Sequence, residues 1–391
     1  MRIAQCIEAP LFDHGGVEVL VREIIRGTGM AGHETYLVAT RNLTSDERSL
    51  LPSIKEVFVW HWEGIPENEG RRLVEWMIHH RIQIAHFHHG GTYGWYSRRW
   101  RRCPIPSVSK TGIPCVTTNH GAFSIFDCVR QPRSFMFKAF ALLRFWPAKL
   151  HQLSHVQWEA TVSQHDLHAV RRWFFPMRRK FIQLYHSKLR GDEFSTPSPS
   201  THPLTPQNPY ILCLGTVGQR KGQQYLVEAF LQIADRSPDW RLVLAGRQAH
   251  APTMEKIQAL TQSSPDADRV LLMPDVDDRL AHDLLKHAEI FAIPSTGEGL
   301  GLTLQEAMYA GCACIGSHVG GIPDLIQEGK TGLLVPPADP KALAQGLTAL
   351  MEDQAFRTRL GVAAKHEMRV RNMTAQNMVD SYLGLYRQAL Q

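Results

Sequence analysis

The chain of 391 residues has no run of eighteen apolar residues, which leaves nothing long enough to span a membrane as a helix. Its first ten residues, MRIAQCIEAP, read as a strand and lack the apolar stretch of a secretory signal, so the expected compartment is the cytoplasm. Seven cysteines occur, singly or as Cys312-Ala-Cys314. With no C-x-x-C pair they frame neither a zinc site nor a disulfide set, and buried free thiols are expected. Acidic residues are scarce in one stretch: residues 76–190 hold 3 of them against 18 Lys and Arg. The formal net charge of +6 is the balance of +11 over residues 1–190 and −5 over the remainder. Such polarisation implies an anionic partner for the first half, whether a phospholipid surface, a phosphorylated acceptor or nucleic acid. A basic surface with no partner is the other reading. No helix-turn-helix, zinc-finger or RNP pattern is present, which argues against nucleic acid.

What is present is a repeated alternation of short apolar runs with helical spacing, over a length that exceeds one ordinary core, so two domains are expected. Strands are expected at 2–10, 35–39, 57–60, 82–87 and 116–118, with the end of another at 161–163. Val17, Leu20, Val21 and Ile24 carry helical spacing after the loop 11–16, and that helix is expected to end near Gly27 to Gly29. This order is one half of a doubly wound parallel sheet. The loop holds the pair Gly15-Gly16. His86, His88, His89 and His120 fall at expected strand ends, where open α/β sheets place ligand groups. They have no carboxylate partner and no i, i+4 spacing, so metal is not expected. His120 reads either as a ligand-facing group or as a structural cap on its strand.

Residues 134–150 are apolar, aromatic and studded with cations. Lys138 and Lys149 share a helical face from which Arg144 departs, so both a buried helix and a membrane-surface helix stay open. Arg98-Arg99-Trp100-Arg101-Arg102 and the segment 171–180, RRWFFPMRRK, set cations beside aromatic rings, a composition suited to the inner face of a membrane.

Proline and serine without periodicity at 195–209 mark a linker. The division is therefore 1–190, a linker at 191–209, a second domain at 210–370 and a terminal helix within 371–391. The second domain opens with a strand at 210–214, the loop Gly215-Thr216-Val217-Gly218-Gln219-Arg220-Lys221-Gly222 and a helix at 223–234. Strands at 241–245 and 269–273 and a helix at 280–288 follow. The apolar run 290–294 reads as a buried parallel strand. Gly297, Gly299 and Gly301 come next, then a short helix from Leu302 closed by Gly311. That helix start turns free amides and the positive end of its dipole toward an anion. Arg220 and Lys221, also at a helix start, are unfavourable there unless an anion is bound. Glu298 and Glu306 are repelled by phosphate but accept hydrogen bonds from hydroxyl groups. Phosphate plus hydroxyls describes a nucleotide sugar.

The run Glu298-Gly299-Leu300-Gly301-Leu302-Thr303-Leu304-Gln305-Glu306, followed in order by Gly320-Gly321-Ile322-Pro323-Asp324 and Gly332-Leu333-Leu334-Val335-Pro336, resembles the donor-site signature of the retaining GT-B glycosyltransferases of family 4, the glycosyl transferases of group 1. The resemblance is strong over 210–350 and weaker over 1–190. It implies two doubly wound, Rossmann-like α/β domains facing one another across a cleft. It also implies transfer of a hexose from a UDP- or GDP-linked donor to a hydroxyl of a saccharide or lipid-linked acceptor, with configuration retained by front-face substitution, in polysaccharide or glycolipid synthesis. On the same basis Gly15, Gly16, Gly215, Gly299, Leu300, Gly301, Leu302, Thr303 and Glu306 bind the donor, while His120, Glu298, Arg220 and Lys221 serve catalysis. Residues 275–278 fall near the base, and the terminal helix crosses back to the first domain. The chain departs from the family at Thr216, where an arginine is usual, and Arg220 is the nearest replacement.

No cofactor beyond the donor substrate is implied, and no metal. Asp266-Ala267-Asp268 and Asp275-Val276-Asp277 adjoin no phosphate loop and read as solvated carboxylates. Two rival readings are a nucleotide-sugar epimerase of similar fold, which the glutamate pair argues against, and a basic nucleic-acid-binding protein.

Overall fold

Short apolar runs become parallel strands in two separate sheets. The structure is a computed structural model that describes residues 1–12, 15–61, 69–89, 103–121, 146–190, 194 and 202–391. Arg98 to Arg102, residues 134–145, most of the linker and residues 13–14 of the first glycine loop lie outside the described residues. The chain divides into a unit formed by Met1–Arg190 with Thr374–Gln391 and a unit formed by Gly191–Met373.

In the first unit the described strands are β1 (Arg2–Ile7), β2 (Glu34–Ala39), β3 (Ile54–Val59), β4 (Ile84–His89), β5 (Cys115–Asn119), β6 (Trp158–Thr161) and β7 (Phe181–Gln183), ordered β3-β2-β1-β4-β5-β6-β7. In the second they are β8 (Tyr210–Leu214), β9 (Arg241–Ala245), β10 (Val270–Met273), β11 (Ile290–Ile293), β12 (Ala313–Ser317) and β13 (Leu333–Val335), ordered β10-β9-β8-β11-β12-β13. Each sheet thus reverses its winding once, between β1 and β4 and between β8 and β11. In open α/β sheets, ligands gather beyond the carboxyl ends of the strands at such a reversal. Helices cover the faces, and the buried strand residues pack with their helical partners into hydrophobic cores in each unit. The described cysteines Cys6, Cys103, Cys115, Cys213, Cys312 and Cys314 are all buried and unbridged.

Several expectations need correction. The first helix runs Gly16–Met30, one residue past the end expected near Gly27 to Gly29, and its glycines also serve packing: a Cβ on Gly27 would stand 2.4 Å from Val379 and one on Gly29 would stand 2.4 Å from Ser53. The first strand stops at Ile7 and not at residue 10. His86 lies inside β4, whereas His88 and His89 form its carboxyl end as expected, and the strand is buried along its whole length. The helix expected at 223–234 ends at Leu231, followed by a separate turn of 3-10 helix at Ala234–Arg236.

Of the two readings left open for the helix that carries it, Lys149 takes the buried one. It lies on the helix 146–154 with its side chain fully buried, and its Nζ is 2.5 Å from Oε2 of the equally buried Glu159 on β6. Gln152 Oε1 accepts a second hydrogen bond from Lys149, and Thr117 Oγ1 donates to Glu159. An ion removed from water is tolerated only when paired and hydrogen-bonded, so Lys149 has no charge to offer a surface. Phe174 and the partly buried Trp146 and Trp173 also pack into the core. Of the segment 171–180, Arg171, Arg172, Phe175, Arg178 and Arg179 remain exposed.

Candidate functional site

In the second unit, three blocks distant in sequence converge on Glu298. β8 ends in the loop 215–222, which the side chain of Gln223 holds from below: Nε2 donates to the Thr216 carbonyl at 3.2 Å, and Oε1 accepts from the Gly218 amide at 3.4 Å. Gly222 closes the loop with φ 70°, and a Cβ there would stand 2.1 Å from the Pro294 carbonyl oxygen. Only glycine meets both conditions. This close approach brings the loop against the turn that follows β11, where the Thr296 amide donates to the Arg220 carbonyl at 2.8 Å.

The side chains then interlock. Arg220 Nη1 donates to the Gly297 carbonyl at 2.7 Å, and Lys221 Nζ lies 2.6 Å from Glu298 Oε2. Ser295 Oγ donates to the same carboxylate oxygen at 3.3 Å. From the other side Gly320, with φ 53°, presses so close to the Glu298 carbonyl oxygen that a Cβ would stand 1.8 Å from it, and the Gly321 amide donates to that oxygen at 3.2 Å. Burial pushes the Glu298 carboxyl up. Lys221 and then Arg220 more than reverse this, leaving it below the ordinary carboxylate range.

Gly301, at φ 93°, opens the helix Leu302–Ala310 without a side-chain cap, and Gly311, at φ 94°, closes it. The first amides of such a helix, at Leu302 and Thr303, have no carbonyl one turn back within it. Gly299 and Leu300 are buried beside them, while Leu302, Thr303 and Glu306 are half-buried. Gly215, at φ 149°, packs its carbonyl against Gly246. Thr216, which replaces the family's arginine, offers the loop only its backbone carbonyl in the hydrogen bond from Gln223. The structure therefore brings together Gly215, Arg220, Lys221, Glu298 and the start of the helix carrying Glu306. It adds Gln223 and Ser295, which sequence reasoning missed: each is a single polar residue whose meaning comes from a loop that folds over it.

In the first unit, Gly15 precedes and Gly16 begins the first helix, where a Cβ on Gly15 would meet the Glu18 carboxylate. His120 follows β5, partly buried, with Nε2 3.1 Å from His88 Nδ1 and its ring 4.9 Å from that of His186. Burial first, then the nearby His186 and His88, hold its pKa well below the ordinary histidine value, so it is neutral. Among the described residues no group of three His, Cys, Asp or Glu side chains is placed to hold a metal ion. Asp277 caps the helix Asp278–His287 and Asp266 pairs with Arg269.

Comparison with known proteins follows the same division. Residues 14–186 match the family model described as Glycosyltransferase Family 4, and residues 197–367 match that described as Glycosyl transferases group 1. A D-inositol 3-phosphate glycosyltransferase of Xylanimonas cellulosilytica is 34% identical over 163 residues, which make up 41% of this chain and 38% of that protein. The chain thus matches less than half the length of such curated relatives. Among solved structures, a glycosyltransferase from Rickettsia africae aligns with a TM-score of 0.79 at 18% identity over 100% of this chain and 98% of that one. HepE of Anabaena, solved in complex with UDP and glucose, aligns with a TM-score of 0.76 at 14% identity over 99% of both chains. At these identities the two structures establish the GT-B fold alone.

Proposed function

Since this chain belongs to the GT-B glycosyltransferases of group 1, we propose that it transfers a sugar from a nucleoside-diphosphate donor to an acceptor hydroxyl. The observation that carries the reading is the meeting of Lys221 with Glu298 at 2.6 Å and of Arg220 with the Gly297 carbonyl at 2.7 Å, directly before the uncapped start of the helix Leu302–Ala310. Two cations and a helix start supply fixed positive charge for a departing diphosphate, and charge positioned beforehand stabilises a transition state more than it stabilises the ground state. Glu298, ionised and fixed by Lys221 and Ser295, accepts hydrogen bonds from the donor sugar, and Glu306 accepts them from ribose hydroxyls. Gly15, Gly16, Gly215, Gly299, Leu300, Gly301, Leu302 and Thr303 supply backbone close to the donor.

Retention of configuration fits this arrangement, because the carboxylate nearest the sugar is already engaged by a lysine and is a poor nucleophile. We therefore favour front-face substitution, with the leaving diphosphate aiding deprotonation of the acceptor. The diphosphate charge is met by protein groups, so no metal is needed. A UDP- or GDP-linked hexose and a saccharide or lipid-linked acceptor fit the reading. Among the described residues no helix is long and apolar enough to cross a membrane. Exposed Arg171, Arg172, Phe175, Arg178 and Arg179 remain as the means of touching an anionic surface on which a lipid-linked acceptor resides. Incubation with a panel of nucleotide sugars, with and without simple acceptors, tests the reading through release of nucleoside diphosphate and the anomeric configuration of the product. Release of no nucleoside diphosphate from any donor, or an inverted product, would count against it.

A further inference from the structure

A chain of buried polar groups runs through the first unit from His120 to the C-terminal helix. Gln5 on β1, His86 and His88 on β4, Thr118 on β5, His186, and Tyr382 and Tyr386 on the helix Ala375–Ala389 are all buried. His120 Nε2 lies 3.1 Å from His88 Nδ1, and His88 Nε2 lies 2.7 Å from Gln5 Oε1. Gln5 Nε2 donates to Tyr386 Oη at 3.1 Å, and Tyr386 Oη lies 2.6 Å from His86 Nδ1. His86 Nε2 is 2.7 Å from Thr118 Oγ1, Thr118 Oγ1 is 2.9 Å from Tyr382 Oη, and Tyr382 Oη is 2.6 Å from His186 Nε2.

Proton bookkeeping makes this chain directional. Burial, with neighbouring histidines adding to it for the first three, keeps His86, His88 and His120 far below the ordinary histidine pKa, and burial alone lowers His186 to about 3. Each ring therefore carries one proton and one lone pair. The Gln5 amide, oriented with its oxygen toward His88, accepts, so His88 holds its proton on Nε2 and its lone pair on Nδ1. His120 must then donate from Nε2, and its own lone pair sits on Nδ1. On the other side Gln5 Nε2 donates to Tyr386, which donates to His86 Nδ1. His86 Nε2 donates to Thr118, and in the link from Thr118 to Tyr382 either hydroxyl can donate. Every link from His120 to Thr118 points the same way, and turning the Gln5 amide over would reverse these links. At the donor end, His120 Nδ1 is buried and finds no partner among the described residues. A buried acceptor of this kind calls for a ligand.

We propose that Gln5 and Tyr386 are positioning residues that act through His88 to hold His120 in its Nε2–H tautomer, so that its Nδ1 lone pair is the acceptor offered to a substrate hydroxyl. The identity of that hydroxyl as one of a sugar rests on the glycosyl-transfer reading, whereas the tautomer does not. A merely structural network would fix the fold without regard to which ring nitrogen of His120 carries the proton.

Long-range ¹H–¹⁵N spectra of the full chain labelled with ring-¹⁵N histidine report the tautomer directly, with His120 assigned by its loss in His120→Gln. The expected result is His120 as Nε2–H in the unmodified protein and as a mixture of tautomers in Tyr386→Phe and Gln5→Met. In both variants kcat for sugar transfer should fall about tenfold, with donor KM unchanged. Tyr386→Phe removes one oxygen only and carries the test if Gln5→Met does not fold. His120 found as Nδ1–H in the unmodified protein overturns the proposal, as does an unchanged tautomer in the variants. A mixed tautomer with unaltered kcat removes its link to the reaction. Because the spectra need no substrate, they decide the polarity of the chain even if no sugar is transferred.

Discussion

Lys221 and Glu298, 77 residues apart in sequence, are joined at 2.6 Å, and both side chains are largely withdrawn from water. The pair ties the loop after β8 to the turn after β11, the two strands between which the second sheet reverses its winding. The lysine also decides the protonation of the carboxylate, because burial alone would drive Glu298 toward its neutral form.

Lys221→Met should therefore raise the pKa of Glu298, which a ¹³C titration of glutamate carboxyls reads. The folded-state pKa of Glu298 is depressed, so its contribution to stability is present above the ordinary carboxylate pKa and is lost as pH falls through the lower folded value. In the variant that loss should begin at higher pH. Turnover should fall on the order of 10²-fold, the scale set by removal of one fixed donor to a developing anion. An unmoved Glu298 titration would show that Lys221 does not control it.

Glu298→Ala should depress kcat much more than it raises donor KM, since its carboxylate is proposed to lie beside the reacting sugar. Steady-state kinetics with saturating acceptor gives both numbers. Equal effects on the two would place Glu298 in general donor binding.

Gly320→Ala tests the packing of the third sequence block. The residue has φ 53° and a Cβ would stand 1.8 Å from the Glu298 carbonyl oxygen, so strain of about 1–3 kcal/mol in the backbone alone is expected. Denaturant unfolding should show at least that loss. A stability equal to that of the unmodified protein would mean that the turn after β11 yields freely.

Lys149→Met leaves Glu159 as a buried, unbalanced charge and should cost about 3–5 kcal/mol. Adding Glu159→Gln should recover a large part of it. Thermal unfolding of the single and double variants decides this, and a single variant as stable as the original would contradict a structural role for the pair.

The parallel sheets were legible because a strand buried on both faces shows as a short apolar run, as 210–214 and 290–293 do. The loop chemistry was legible where glycine is required: Gly222, Gly301 and Gly311 all take positive φ. Burial of charge was not. Helical spacing placed Lys149 on a face with Lys138, but only the fold brings Glu159 of β6 to it. Gly27 and Gly29 marked the last turn of the first helix, but that they also admit Val379 and Ser53 does not show in sequence. His86 and His88 were recognised as a cluster, yet Tyr386, which bonds His86, lies 300 residues onward, and Gln5, which bonds His88, lies 83 residues before it.

The most direct test of the account is calorimetric titration of UDP and of GDP, in excess EDTA, into the unmodified protein and into Glu306→Ala. A carboxylate accepting charged hydrogen bonds from ribose contributes roughly 1.5–3 kcal/mol, and each 1.4 kcal/mol or so is tenfold in affinity. One of the two nucleotides should bind the unmodified protein without metal and bind Glu306→Ala roughly ten- to a hundredfold more weakly, with the melting temperature preserved. Failure of both nucleotides to bind, binding that needs manganese or magnesium, or equal affinity in the variant would contradict the proposed donor site.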